Sequence, residues 1–286
     1  MSRSLHSSKI AFVGGGNMAS AIIGGLSAQG IPKAHITVSE PWDVNRAKMA
    51  ALGIPTTTSN VDAAQDADLL IVAVKPQVAR PVCEELAAAW AQRESLPVVV
   101  SIAAGITLES LRVWLALPGG RTAHVVRVMP NTPALVGEGA SGLFAGEDVT
   151  AEERALVEEL MGSVSKASEW VEREELLDVV TGLSGSGPAY FFAMVEHLID
   201  SATKLGLPRD QATRLAKQTC LGAGKMLVES ADPPAQLRTN VTSPGGTTFA
   251  ALQAFEHGGF RELVDGAVAA ATNRAAELGG ADKASK

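Results

Sequence analysis

The chain has 286 residues, 46% of them hydrophobic and 19% charged. That is a length of about two domains and a composition that excludes a disordered protein. A formal net charge of −7 and an aromatic content of 4% with a single Tyr exclude a phosphate-backbone binder and a base-stacking platform for single-stranded nucleic acid.

In chain order, short apolar runs alternate with helical patterns. Lys9–Val13 reads as a buried strand and Asn17–Gln29 as a helix that Gly30 ends. His35–Glu40 is a second strand, and Val44–Leu52 is helical. Asp68–Val74 is apolar almost throughout, as a parallel strand covered on both faces should be. Ala79–Gln92 is a helix, Pro97–Ile102 a strand, Leu108–Leu115 a helix and Ala123–Val128 a strand. This alternation is the doubly wound α/β pattern.

Beyond Asn131 the texture changes. Ala134–Ala145 is glycine-rich and extended, and Thr150-Ala-Glu-Glu153 is a capping box that opens a helix to about Met161. From Glu174 on the pattern is helical: Pro188–Leu205, then Gln211–Glu229, a short helix from Pro233-Pro234, Gly245–His257 and Phe260–Leu278. Two domains are expected, an α/β domain over residues 1–168 and an all-α domain over 169–286.

Gly14-Gly15-Gly16-Asn17-Met18-Ala19 fits G-x-G-x-x-(G/A) between a strand and a helix. Gly14 permits a tight turn. Gly16 lets the backbone approach a pyrophosphate, whose charge meets the helix N-terminal amides. Glu40 is the acidic residue expected about 20 positions further on. Its carboxylate would accept from a ribose 2′-OH and repel a 2′-phosphate, which favours NAD over NADP; the bland alternative is a solvated strand-end Glu. Arg46 lies nearby and could draw a phosphate. Val74-Lys75-Pro76 and Ser101–Gly105 sit at the ends of later strands, where ligands of such sheets bind.

Two glycine-rich segments, Gly182–Ala189 and Thr242–Thr248, each precede an apolar helix. Free amides at a helix start, with Ser and Thr hydroxyls, suit a carboxylate; caps and close helix packing are the alternative. Hydroxy-acid dehydrogenases of related architecture carry G-x-x-G-x-G-x-x-x-K-x-x-x-N. Here the Lys position is Phe191 and the Asn position is Val195. A site without a strong acid or base fits reduction of an imine. No metal is expected from Cys83, Cys220 and five scattered His. The polar start of the chain and the lack of a long apolar run predict a cytoplasmic protein with no membrane span.

Gly14–Ala19, Val74-Lys-Pro-Gln77, Ser101–Gly105, Met129-Pro-Asn-Thr-Pro-Ala134, Leu183-Ser-Gly-Ser-Gly-Pro-Ala-Tyr190 and Val241-Thr-Ser-Pro-Gly-Gly-Thr-Thr248 together resemble the Δ1-pyrroline-5-carboxylate reductases. The likeness runs from about residue 9 to 278. It implies a Rossmann-type N-terminal domain and an all-α C-terminal domain that binds substrate and dimerises. It implies reduction of pyrroline-5-carboxylate to L-proline with NADPH or NADH, and an interlocked homodimer that some members build into a decamer. By the same likeness Val13, Gly14, Gly15, Gly16, Asn17 and Met18 hold the pyrophosphate, and Asn60 lies near the adenine ribose phosphate. Ala73, Val74, Lys75, Pro76, Ala103 and Ala104 line the nicotinamide side, and Asn240 reaches the cofactor, from its own or from the partner subunit. Ser243, Gly245, Gly246, Thr247 and Thr248 form the substrate loop, with amides on the carboxylate and the Thr248 hydroxyl on the ring nitrogen. Where many members carry a small hydroxylated residue at the end of the second strand, this chain has Glu40.

Overall fold

The computed structural model describes residues 4–283. Two compact units divide the chain: one runs to Gly185 and takes in the chain again from Ala270, and the other is Ser186–Ala269.

The first unit opens with β1 (Ile10–Val13), α1 (Asn17–Ala28), β2 (Ile36–Ser39), α2 (Asp43–Ala51), β3 (Thr56–Thr57) and α3 (Asn60–Ala64). It continues through β4 (Leu69–Val72), α4 (Pro76–Ala89), β5 (Val98–Ser101), α5 (Leu108–Trp114) and β6 (Val125–Met129). The eight strands lie in the order β3-β2-β1-β4-β5-β6-β7-β8. β7 (Gly139–Ala145) runs antiparallel to β6, and β8 (Ser165–Trp170) runs parallel to β7. The apolar strands cover both faces. Ile10, Phe12, Leu69 and Ile71 enter one core cluster. Ala11, Val13, Leu70 and Val72 enter the other. That two-sided burial is why these strands read as continuous apolar runs.

α6 (Ala151–Gly162) carries the expected capping box, with Thr150 accepting from the Glu153 amide and Glu153 from that of Thr150. α7 (Leu176–Val180) runs into a π-helical turn, Thr181–Gly185.

The expected change of domain after residue 168 falls inside β8, which pairs with β7 along its length. The compact unit therefore extends to Gly185. Asn131 ties this extension down: its side-chain amide donates to Ser184 O (3.1 Å) while its oxygen accepts from the Ala140 amide (2.9 Å). The glycine-rich segment at Gly182 is thus partly helical: Thr181–Gly185 forms the π-turn, and Ser186 alone separates it from the helix that begins at Gly187.

The second unit holds α8 (Gly187–Lys204), α9 (Arg209–Glu229), α10 (Pro234–Asn240), α11 (Thr247–His257) and the start of α12 (Phe260–Lys283). α8 packs on α9. Among the described residues no helix is long and apolar enough to cross a membrane.

Candidate functional site: a glycine turn and a threonine loop

The C-terminal edge of the sheet in the first unit is built by backbone geometry. Gly14 takes φ +99°, and a Cβ there would stand 2.6 Å from Ala73 O, so only Gly fits. Its amide donates to Ser39 O (2.8 Å), and the Ala73 amide donates to Val13 O (2.8 Å). Gly16 is the N-cap of α1 and makes no side-chain cap bond. A Cβ at Gly16 would meet nothing within 4 Å, so open space stands over the helix start. The amides of Asn17, Met18 and Ala19 have no acceptor within α1, because the first helical bond runs from Ser20 N to Gly16 O. An anion in that space would meet these donors and the positive end of the helix. The residues fit a dinucleotide pyrophosphate.

Glu40 is 8% exposed. Its Oε2 accepts from the Gly15 amide (2.8 Å) and its Oε1 from the Trp42 amide (2.9 Å). Asn45 approaches Oε2 at 3.5 Å. The carboxylate is therefore a fixed part of the turn rather than a solvated strand end. The Gly15 amide, expected on the pyrophosphate, is taken by Glu40. Arg46, the candidate for drawing a phosphate, is also committed: it donates to Glu40 O (3.0 Å) and Pro41 O (3.1 Å) and pairs with Asp43.

Asn60 accepts from Ser39 Oγ (2.6 Å) and donates to Glu85 (2.8 Å), which fixes it beside the end of β2. Lys75 N-caps α4, with Pro76 in the first helical turn. Ala103 is buried and Ala104 exposed, in the loop leaving β5. α5 is capped by Thr107 accepting from the Ser110 amide, and its Leu108 amide donates to Glu174. Glu174 also pairs with buried Arg127, so one carboxylate holds that loop and β6 together.

In the second unit the loop before α11 is closed by the Gly246 amide donating to Ser243 O (3.0 Å), with Gly245 at φ +67°. That amide, expected on a substrate carboxylate, is used inside the turn. Gly246 caps α11 without a side-chain bond, and the first helical bond runs from Ala250 N to Gly246 O. The amides of Thr247, Thr248 and Phe249 are thus the donors that remain. Phe249 was not expected among them; the helix start itself, one residue after Gly246, is the signal that finds it. The Thr248 side chain is half-buried in that turn, and Ser243 is exposed. Asn240 is held by Gln236 (2.7 Å) and lies 3.4 Å from Asp232.

A sheet of this order, parallel from β3 through β6, with a glycine turn, free helix amides and an acidic residue just after β2, defines the class of Rossmann-type oxidoreductases. Residues 9–105 match the family model described as NADP oxidoreductase, coenzyme F420-dependent, and residues 174–278 match pyrroline-5-carboxylate reductase dimerisation. The chain is 47% identical to the pyrroline-5-carboxylate reductase of Pseudomonas aeruginosa, over 94% of this chain and 96% of that one. A Coxiella burnetii pyrroline-5-carboxylate reductase structure has TM-score 0.88 and 42% identity, covering 95% of this chain and 98% of that one. The NADP-bound pyrroline carboxylate reductase of Plasmodium falciparum has TM-score 0.82 and 30% identity, covering 96% and 99%. The chain belongs to the pyrroline-5-carboxylate reductase family.

Proposed function

We propose that this protein reduces the C=N bond of Δ1-pyrroline-5-carboxylate to give L-proline, the last step of proline biosynthesis, and that NADH serves it at least comparably with NADPH. The observation that carries the reduction is the 47% identity to a pyrroline-5-carboxylate reductase across 94% of the chain. The chemistry a nicotinamide dinucleotide would supply when bound is a hydride for the imine carbon.

The chain's own residues bind and orient. The amides of Asn17, Met18 and Ala19 receive the pyrophosphate. Val74, Lys75, Pro76, Ala103 and Ala104 border the nicotinamide side. The amides of Thr247, Thr248 and Phe249 hold the substrate carboxylate, and the Thr248 hydroxyl bonds the ring nitrogen. A cyclic imine protonates readily, so no strong acid is needed beside it.

NADH use is supported by the charges around β2. Glu40 places a fixed carboxylate where a 2′-phosphate would need cations, and Arg46 is tied to Asp43 and two carbonyls. The helical unit self-associates; the assembly we propose is an interlocked homodimer in the cytoplasm, with a decamer of five dimers as the higher form to be looked for by sedimentation.

Thr248→Ala should lower kcat/KM for pyrroline-5-carboxylate on the order of 10²-fold. An unchanged value would remove Thr248 from the site. Turnover of 3-hydroxyisobutyrate-type acids in place of the imine would point instead to a hydroxy-acid dehydrogenase, which lacks its Lys here because the position is Phe191.

A further inference from the structure

We propose that the indole of Trp42 is the platform on which the adenine ring of the dinucleotide stacks. This rests on the dinucleotide reading of the glycine turn.

The chain has four Trp. Trp90 and Trp114 are buried in the core. Trp170 is covered by the guanidinium of Arg154 (4.8 Å to the ring centroid), and its N–H donates to Glu158. Trp42 alone is 67% exposed. Leaving so large an apolar ring in water costs free energy unless something covers it.

The backbone beneath that ring is fixed. The Trp42 amide donates to Glu40 Oε1 (2.9 Å), and its carbonyl accepts from the Arg46 amide (2.9 Å). The Arg46 guanidinium holds the carbonyls of Glu40 and Pro41 and pairs with Asp43. A rigid stub therefore presents a ring with only two side-chain torsions to order, which keeps the entropy of engagement small.

Position supplies the ligand. Trp42 is the N-cap of α2, three residues beyond the C-terminal end of β2, the end at which ligands of doubly wound sheets bind. Its amide bonds the same carboxylate that reads the adenosine ribose in this family of folds. Adenine is joined directly to that ribose, so it must lie beside the carboxylate. A neutral purine with an open π-face is the chemistry that matches an exposed indole. Arg46, committed to its three partners, is not available as the stacking plane.

The test uses the full chain and two probes: ADP-ribose, which has the adenine but no nicotinamide, and reduced nicotinamide mononucleotide, which has no adenine. ADP-ribose should quench the tryptophan emission of the wild-type protein. By calorimetry, Trp42→Ala should weaken ADP-ribose binding about 10- to 100-fold and leave the mononucleotide unaffected, while Trp42→Phe should restore most of the loss. Equal ADP-ribose binding by wild type and Trp42→Ala would overturn the platform and leave the dinucleotide reading standing. Equal loss of both probes would also overturn it, since the ring would then act through the fold. Failure of the wild-type protein to bind ADP-ribose at all would overturn the dinucleotide reading itself.

Discussion

The sheet-containing unit and the helical unit differ in how much one chain can bury. In the first, adjacent residues of each central strand enter opposite clusters, so helices on both faces find apolar partners within the same chain. In the second, α8 buries Gly187 and Ile199, α9 buries Ala212, and α10 and α11 bury no residue fully. Phe191, Phe192, Leu215 and Leu221 are left exposed. An apolar surface of this extent is an interaction surface, and residues 174–278 match a dimerisation model. One unit carries its own core; the other leaves apolar helix faces uncovered within a single chain.

The largest effect that separates the two should come from Phe12→Ala, which empties a fully buried site in the first unit. It should cost roughly 3–5 kcal/mol in denaturant unfolding, by the same amount in dilute and concentrated protein. Phe192→Glu, 68% exposed in a single chain, should cost less, about 1–3 kcal/mol, all of it through association. Sedimentation should show the wild type without monomer at micromolar concentration and the variant shifted towards it. A variant that sediments like the wild type would break the distinction between the units.

The two thiols sharpen it further. Burial, with a smaller contribution from Glu84, pushes the Cys83 thiol up to about 12. The thiolate is the reactive form, so Cys83 should stay unlabelled in the native protein at pH 8. Cys220 lines a groove with Phe192, and its labelling should slow as protein concentration rises. Labelling of Cys83 ahead of Cys220 would contradict the closed first core.

The smallest effect concerns Asp178. Burial raises its pKa, Arg127 partly opposes this, and Glu174 and Glu175 add to it. A carboxyl raised in the folded state contributes stability below its unfolded pKa and loses it as pH rises through the folded value. Asp178→Asn should therefore raise Tm slightly at pH 8 and give no gain at about pH 4 or below, close to the ordinary Asp pKa. Thermal melts at both pH values check the sign.

What the sequence made legible follows the same physics. Strands buried on two faces announce themselves, and so does the turn that only Gly14 permits. β8, with the mostly polar sequence Ser165–Trp170, offers no apolar run, and β3 is two residues long. Glycines at 182–187 read as a loop, yet Asn131 and the close approach of Met129 to Gly185 hold a helical turn. In the site, the helix-start amides at Asn17–Ala19 and at Thr247–Thr248 were visible from glycine placement. The capture of the Gly15 amide by Glu40 and of Arg46 by Asp43 was not, because it depends on where β2 ends relative to the turn after β1.

The most direct measurement is kcat/KM for pyrroline-5-carboxylate with NADH and NADPH in parallel. Both cofactors should support proline formation, NADH at least comparably. An advantage for NADPH of about a hundredfold, close to 2.7 kcal/mol of transition-state stabilisation, would contradict the account of Glu40 and Arg46.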